Sequence, residues 1–357
     1  MYEEKDKPDI LKANREEYGD TDLSHGSYFD WIHTKNPNGS PVFLVAREIG
    51  TGRLIGWVMY VPFQLIWQGE RLKALIGFNL MVRKEYRRKG ISTAMIQCGT
   101  AEGKRQGHHF IAALANSKST EVHRKMGDLI VSSVPMVIRP LDVASLSREQ
   151  FSNPLAQWVT RAAWAIGGSI VFRERRPRNY GLPVDIVEES EFGEAFDRFW
   201  EKVNAKYNLM LVRDRAFLQW RFREMPCRSY LVFSARRGKD ILGYLVLREA
   251  VIRGIKCGLI SDFMVAPGEA GDRAGLLLMN AATRCFREAQ AQLGGGLMFT
   301  HTQEFGIMRQ AGYVPTPERL APQSITLIVH TILDEIPTRQ ILLPESWFIS
   351  NADHDAV

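Results

Sequence analysis

No stretch of the 357-residue chain runs for about eighteen apolar residues without a charge, which argues against a membrane-spanning helix. The N-terminus, Met1-Tyr2-Glu3-Glu4-Lys5-Asp6-Lys7, lacks the apolar centre of a secretory signal, so a cytoplasmic protein is expected. Cysteine is scarce. Cys98, Cys227, Cys257 and Cys285 are scattered without C-x-x-C spacing or a nearby His, which argues against a disulfide framework and a zinc site; buried reduced thiols and no metal are expected. Acid is short relative to base, and the net charge of +6 points to an anionic partner. No helix-turn-helix pattern or aromatic RNA-binding strand accompanies that charge, so no nucleic-acid partner is expected.

What is present is a repeat. Trp31-x5-Pro37-x8-Ala46-Arg47 recurs as Trp220-x5-Pro226-x8-Ala235-Arg236, each leading through a strand pattern to a Gly-aromatic pair, Gly56-Trp57 and Gly243-Tyr244. Asn79-Leu80-Met81-Val82 is echoed by Asp262-Phe263-Met264-Val265, and the interval from Asn116 to Gly127 by that from His301 to Gly312. Landmarks in the same order, at nearly constant offset, imply two copies of one fold. The length exceeds what one core normally serves, and 45% hydrophobic content is enough for two.

The most informative segment is Leu80-Met81-Val82-Arg83-Lys84-Glu85-Tyr86-Arg87-Arg88-Lys89-Gly90-Ile91-Ser92, read as a strand, a basic turn and a helix over 91–100. Arg87, Arg88 and Lys89 bring positive charge, Gly90 lets backbone N–H groups approach an anion, and the helix offers its positive end to the same anion. The spacing reads as a phosphate cradle. An apolar run, Phe110-Ile111-Ala112-Ala113-Leu114-Ala115, follows and closes at Asn116, with His123 and Gly127 beyond.

Together these residues resemble the GNAT family of CoA-dependent N-acyltransferases, over most of the chain from about residue 28 to 313. In that family a strand ending in valine meets an Arg/Gln-x-x-Gly-x-Gly/Ala loop, matched here by Arg87-x-x-Gly90-x-Ser92, and the next strand ends in Asn with a Tyr seven residues on. The chain departs from the pattern in carrying Ser92 for the small residue, His123 for the Tyr and Asp128 for a Phe. The resemblance implies an α/β protein of two tandem GNAT folds, each a mixed, mostly antiparallel central sheet flanked by helices. It implies acetyl-CoA or a longer acyl-CoA as co-substrate, with Leu80, Met81, Val82, Arg87, Arg88, Lys89, Gly90, Ile91, Ser92 and Asn116 in its site. The pantetheine arm is expected where strand 72–82 and strand 110–116 splay, paired to the backbone of 80–82 like an added strand.

The second copy reads as chemically weaker. At 270–275 it has Ala-Gly-Asp-Arg-Ala-Gly where the first has Arg87 to Ser92, Met308 where the first has His123, and His301 for Asn116. Acyl-CoA is therefore assigned to the first copy, with the second shaping the acceptor site. An amine must attack the thioester carbonyl and lose a proton while the leaving thiolate gains one. By its match to the family's Tyr, His123 is the candidate that steadies or protonates the sulfur. Asp262 is a candidate base, with a water chain as the alternative; a structural role for either residue stays open. The tail at 347–357 ends in Asp353-His354-Asp355-Ala356-Val357 and reads as a solvated acidic end; by analogy with eukaryotic N-myristoyltransferase, another double-GNAT fold, the alternative is that Asp353, Asp355 or the terminal carboxylate binds or deprotonates the amine.

Expected domains are 1–145, binding acyl-CoA; 146–182, a linker helix and basic turn; and 183–357, with a degenerate CoA loop. Within the linker, 155–178 carries Trp158 and Trp164 beside a cation cluster; a helix buried between domains and peripheral contact with an anionic membrane at its inner face are both open. Trp31 and Trp220 are expected to anchor the core of their own copies, and Arg213, Arg215, Arg221 and Arg223 to form either a basic wall or an exposed charged helix. The expected activity is acyl transfer from acyl-CoA to a primary amine of an amino sugar, sugar nucleotide or lipid amine. The alternatives are a ceramide-type N-acyltransferase at a membrane surface and a non-catalytic acyl-CoA-binding regulator.

Overall fold

Long apolar runs with tight turns between them dictate hairpins, and the chain begins its sheets that way. The computed structural model describes residues 1–150, 172, 183–317, 324–333 and 336–354. In the first half lie α1 (Lys7–Tyr18), α2 (Gly26–Thr34), β1 (Val42–Arg47), β2 (Leu54–Trp67), β3 (Glu70–Val82), α3 (Ile91–Arg105), β4 (Phe110–Ala115), α4 (Ser117–Lys125), β5 (Leu129–Ser133) and β6 (Met136–Pro140). Further strands are β7 (Asp185–Glu188), β8 (Leu209–Leu211), β9 (Leu231–Arg237), β10 (Asp240–Ile252), β11 (Ile255–Val265), β12 (Leu293–Leu297), β13 (Val314–Pro315) and β14 (Thr326–Thr331).

Two compact units form. The first comprises Met1–Ser133, Tyr207–Arg228 and Ser324–Ser346; the second, Val134–Lys206, Ser229–Gln323 and Trp347–Val357. Its seven-stranded sheet gives the first unit the order β1-β2-β3-β4-β14-β5, with β8 pairing β2. The second unit's seven strands run β13-β6-β12-β11-β10-β9-β7. The stretches 1–145 and 183–357 thus each contribute to both units. Apart from Phe172 and the end of a helix at Val143–Gln150, the linker at 146–182, with 155–178 in it, falls outside the described residues up to 182.

The repeat is visible in detail. Gln68-Gly69 turns β2 into β3 at φ 51° and 88°, and Arg253-Gly254 turns β10 into β11 at φ 52° and 84°. Two successive positive φ values suit the tight hairpin whose twist matches its strands. In each unit the third strand of this meander runs parallel to the next strand for three residue pairs, Ala74–Phe110 to Ile76–Ala112 and Cys257–Leu293 to Leu259–Gly295. Beyond those pairs each couple forks. Each fork also carries a bulge: Met59 pairs Phe78 while Trp57 pairs Met81, and Leu247 pairs Ile260 while Val246 pairs Asp262.

Each sheet is completed by a strand from a distant part of the chain. β14 lies antiparallel between β4 and β5, and β6 lies antiparallel between β12 and β13. The two copies have exchanged equivalent strands, so neither unit is a continuous stretch.

The core of the first unit gathers Val42, Leu44, Val58, Tyr60, Leu75, Val82, Met95 and Ile111 beneath α3. Gly99 of α3 lies against the Tyr60 ring so closely that a Cβ there would sit 2.1 Å from it. The expectation that Trp31 and Trp220 anchor separate copies is corrected. Both belong to the first unit, stacked at 4.4 Å and 11°, and Trp31 Nε1 donates to the Trp220 carbonyl at 3.0 Å. Flat aromatic faces on two helices, each carrying a Pro beyond it, bury more area against each other than alone. The basic wall is corrected too: Arg213 and Arg221 are buried, with Arg213 Nη1 donating to the Leu211 carbonyl at 2.8 Å. Of the cysteines only Cys257 is buried; Cys98 is exposed.

Candidate active site

In the first unit β3 ends at Val82 and α3 begins at Ile91, leaving 83–90 to turn the chain. Arg83 ties the turn down, its Nε donating to the Leu54 carbonyl at 2.8 Å. Arg87 Nε donates to the Val82 carbonyl at 2.8 Å, which aligns its guanidinium beside the strand end. Arg88 adopts φ 64° and Gly90 φ 78°. Around Gly90 nothing stands within 4 Å of a would-be Cβ, so the glycine serves conformation and leaves the space in front of α3 open. Arg87, Arg88, Lys89 and Gly90 are all exposed.

Gly90 is the N-cap of the fifteen-residue α3 and has no side chain to accept from its first N–H groups. Those donors and the helix dipole stand next to a turn that carries three cations, Arg87, Arg88 and Lys89, the combination that suits a polyphosphate. One carboxylate competes for it. Glu17 accepts from Arg87 Nη2 at 2.8 Å and stands 3.7 Å from Lys84 Nζ; the Arg87 hydrogen bond holds its carboxyl below the usual range.

Behind this loop lies the fork. Residues 77–82 of β3 and 113–115 of β4 are not paired with each other, and Asn79 takes φ 47° in the bulge, with its Oδ1 buried and unpartnered among the described residues. At the fork's closed end the Tyr60 ring passes 3.7 Å from a would-be Cβ on Gly77. The Tyr60 hydroxyl is buried without a hydrogen-bond partner among the described residues; burial, then the charge on Asp128, pushes its ionisation upward.

Beyond β4, Asn116 caps α4, its Oδ1 accepting from the N–H groups of Lys118 and Ser119 at 3.1 Å each. That side chain is engaged by the helix. His123, in the last turn of α4, places Nδ1 2.6 Å from Asp128 Oδ2, and His330 of β14 places Nδ1 2.6 Å from Asp128 Oδ1. Asp128 is wholly buried while the imidazoles are partly exposed. Burial raises its carboxyl, but the hydrogen bonds from His123 and His330 outweigh that and bring it down to about 2. His330 is unannounced in the sequence: it ends an ordinary strand pattern, 202 residues from its partner. Asp128 left a trace, an acid five residues past His123 where the resemblance leads one to expect an aromatic.

The second unit fills the corresponding places with its own groups. Its helix Glu269–Glu288 starts soon after Val265, so the turn is 266–268, and Ala270 to Gly275, aligned by sequence with the cradle, lie inside the helix. Gly268 before an acid-rich first turn signals that start. A Cβ on Gly271 would meet the Ala266 carbonyl at 1.7 Å. Glu304 Oε1 accepts from Val265 N–H at 3.1 Å and from Lys206 Nζ at 2.6 Å, and Gln303 Nε2 donates to Asp272 Oδ1 at 2.6 Å. Two acids in the helix's first turn also disfavour an anion.

The second fork is occupied by the tail. Trp347 to His354 are all buried. Asn351 Nδ2 donates to the Ile260 carbonyl at 2.8 Å, and Ser350 Oγ to Asp262 Oδ1 at 2.7 Å. Asp262 Oδ2 accepts from the Tyr244 hydroxyl at 2.7 Å. Asp262 is completely buried with both oxygens engaged, an anchor for the tail in geometry. Asp353 accepts from Ser350 N–H at 2.9 Å as a cap, and Asp355 and Val357 fall outside the described residues. Met308, at the place of His123, is buried.

Residues 7–128 match the model of the Acetyltransferase (GNAT) family. That segment is a GNAT domain. The L-methionine sulfoximine/L-methionine sulfone acetyltransferase of Pseudomonas aeruginosa is 26% identical over 110 residues, which span 30% of this chain and 61% of that protein. A GCN5-related N-acetyltransferase from Anabaena variabilis superposes with a TM-score of 0.62 at 13% identity, covering 92% of this chain and 71% of the other. N-myristoyltransferase of Saccharomyces cerevisiae with bound myristoyl-CoA gives 0.58 at 13% identity, covering 92% of this chain and 80% of the other. The fold is therefore a tandem GNAT fold. No described helix is long and apolar enough to cross a membrane, and the described residues contain no cluster of His, Cys, Asp and Glu suited to a metal ion.

Proposed function

We propose that the chain is a GNAT-type N-acyltransferase that moves an acyl group from acyl-CoA, docked in the first unit, to a primary amine of a small molecule. One observation carries this reading: the first unit's loop is open, cationic and backed by an uncapped helix N-terminus, while the second unit's turn and fork are filled from within. The pyrophosphate sits on Arg87, Arg88, Lys89 and the N–H groups of Ile91 and Ser92. The pantetheine arm then enters the fork alongside Leu80, Met81 and Val82, whose backbone supplies strand-like hydrogen bonds. His123 handles the proton that passes between amine and sulfur, and no metal takes part.

The Pseudomonas aeruginosa acetyltransferase acts, by its name, on small amino-acid derivatives, which favours a small amine. An amino sugar, a sugar nucleotide and a lipid amine fall in that class. The yeast enzyme's bound myristoyl-CoA supports including long acyl chains among the donors to be tried. Calorimetric titration with acetyl-CoA and a long-chain acyl-CoA tests the donor assignment, comparing wild type with Arg87→Glu/Gly90→Glu, with and without anionic vesicles. Binding by wild type that the double variant loses supports it; binding untouched by the substitutions sinks it. Preference for the long chain or for vesicles directs the acceptor search to lipid amines at a membrane face.

A further inference from the structure

The carboxylate of Asp128 is shared by two imidazoles, and this determines which ring nitrogens carry hydrogen. An ionised carboxylate only accepts. Both hydrogen bonds are short, 2.6 Å, and both reach Nδ1, so in each neutral ring the hydrogen sits on Nδ1 and the lone pair on Nε2, on the far side from Asp128. A neutral His123 in that state is a proton acceptor. It has no proton of its own to give to a leaving sulfur.

We propose that Asp128 and His330 position His123 as the general base for the incoming amine, with Nε2 as the accepting atom. The inference rests on the reading that acyl-CoA docks in the first unit. As the amine nitrogen bonds to the thioester carbon, its N–H proton moves to His123 Nε2, and the imidazolium is steadied by Asp128. The carbon–sulfur bond then breaks, and the same proton passes from Nε2 to the thiolate. The products are an amide and free CoA, and His123 returns neutral. One residue thus fills both proton-transfer roles.

His330 has a separate task. A wholly buried carboxylate needs donors on both oxygens, and His123 reaches only Oδ2. His330 satisfies Oδ1 and so fixes the plane of the carboxylate that aims His123. Because His330 arrives on the exchanged strand β14, this constellation requires the two copies to swap strands. Tyr60 on β2 feels the charge of Asp128, and α4 itself carries Glu121, Arg124 and Lys125, which pair with one another; β4 and β5 contribute no titratable side chain, being Phe110-Ile111-Ala112-Ala113-Leu114-Ala115 and Leu129-Ile130-Val131-Ser132-Ser133.

The test is imidazole nitrogen NMR on the histidine-labelled full chain at slightly alkaline pH, with resonances assigned through His123→Asn and His330→Asn. Wild type should show both residues protonated at Nδ1. Asp128→Asn should switch at least one ring to the Nε2–H form, since an amide can accept from one ring only while donating to the other. His330→Asn, whose amide N–H replaces Nδ1 as the donor to Asp128 Oδ1, should leave His123 as in wild type, whereas His330→Val should not. Diethyl pyrocarbonate, which attacks an unprotonated ring nitrogen, should modify His123 in wild type, and acetyl-CoA should block it; where the spectra show His123 to be the ring that switches in Asp128→Asn, its modification there should be about tenfold slower or more.

A wild-type His123 carrying its hydrogen on Nε2 overturns the proposal, as does modification that acetyl-CoA leaves unchanged although calorimetry shows it bound. Absence of acetyl-CoA binding defeats the donor reading and the base role with it. The tautomer result then decides the positioning by Asp128 on its own.

Discussion

Replacing Glu17 by Gln is predicted to tighten acyl-CoA binding. Glu17 accepts from Arg87 Nη2 at 2.8 Å, and the Val82 carbonyl accepts from Nε of the same guanidinium. A phosphate taking the remaining edge of the guanidinium would stand roughly 7 Å from that carboxylate. At that separation two unit charges repel by ~0.6 kcal/mol in bulk water and about four times that at the effective dielectric of about 20 near a protein surface. A Debye length of about 8 Å removes more than half of it at physiological salt. Counting two charges on a pyrophosphate, the relief is about 0.5–2 kcal/mol, or roughly two- to thirtyfold in Kd. Arg87→Gln removes a charge-assisted hydrogen bond and should weaken binding by about 1.5–3 kcal/mol, tenfold or more. Calorimetry with CoA at low and at physiological salt reads both, and the gain from Glu17→Gln should shrink as salt rises. Weaker binding by Glu17→Gln would show that the carboxylate positions Arg87; no change at low salt would mean that no phosphate comes near Arg87.

Asp128 should make the first unit acid-sensitive. Its folded carboxyl lies near about 2 against an ordinary 3.8, so it contributes about 2 kcal/mol of stability above pH 4 that is lost as pH falls toward 2; the gap in thermal midpoint between wild type and Asp128→Asn should close over that window. Gly99→Ala should cost about 1–3 kcal/mol in thermal denaturation, because its methyl would meet the Tyr60 ring, and Tyr60→Leu should recover part of it. Trp220→Ala should cost about 3–5 kcal/mol, and Trp31→Ala a similar amount. Because they share one stack, urea denaturation of the double variant should fall short of the sum.

The tandem plan was legible because a repeat is a property of sequence order. Trp, Pro, Gly-aromatic and Asn/Asp landmarks keep their offsets, and the two forks and two bulges stand where those landmarks put them. The cradle at 87–92 was legible for the same reason, since charge and Gly90 act locally. Strand exchange was not. β6 and β14 are apolar strands that fit beside several neighbours, and only the packed sheet selects β12 for one and β4 for the other. His330 and the Trp31–Trp220 stack were hidden by the same choice, as their partners depend on which sheet a strand or helix joins. The shortened turn of the second unit was marked by Pro267-Gly268 ahead of Glu269, a helix-start signal stronger than the register carried over from the first copy.

The asymmetry between the units follows from what a fork costs. Strands that part leave backbone N–H and C=O groups facing a gap, and a gap that excludes water must be lined with partners. In the first unit β3 and β4 are unpaired past Ile76–Ala112, beside a cationic loop. In the second the Ile260 carbonyl accepts from Asn351, the Val265 N–H donates to Glu304, and Asp262 is held by Tyr244 and Ser350. A single lost cation in the second loop would leave a weakened cleft that still admits CoA. A tail buried from Trp347 to His354 and Glu304 seated on the Val265 N–H act against it by occupancy and by charge, in keeping with the assignment of the donor to the first unit proposed above. Restoring Arg residues to the turn at 266–268 therefore would not restore donor binding there, because the arm's place along β11 is already taken by the chain itself.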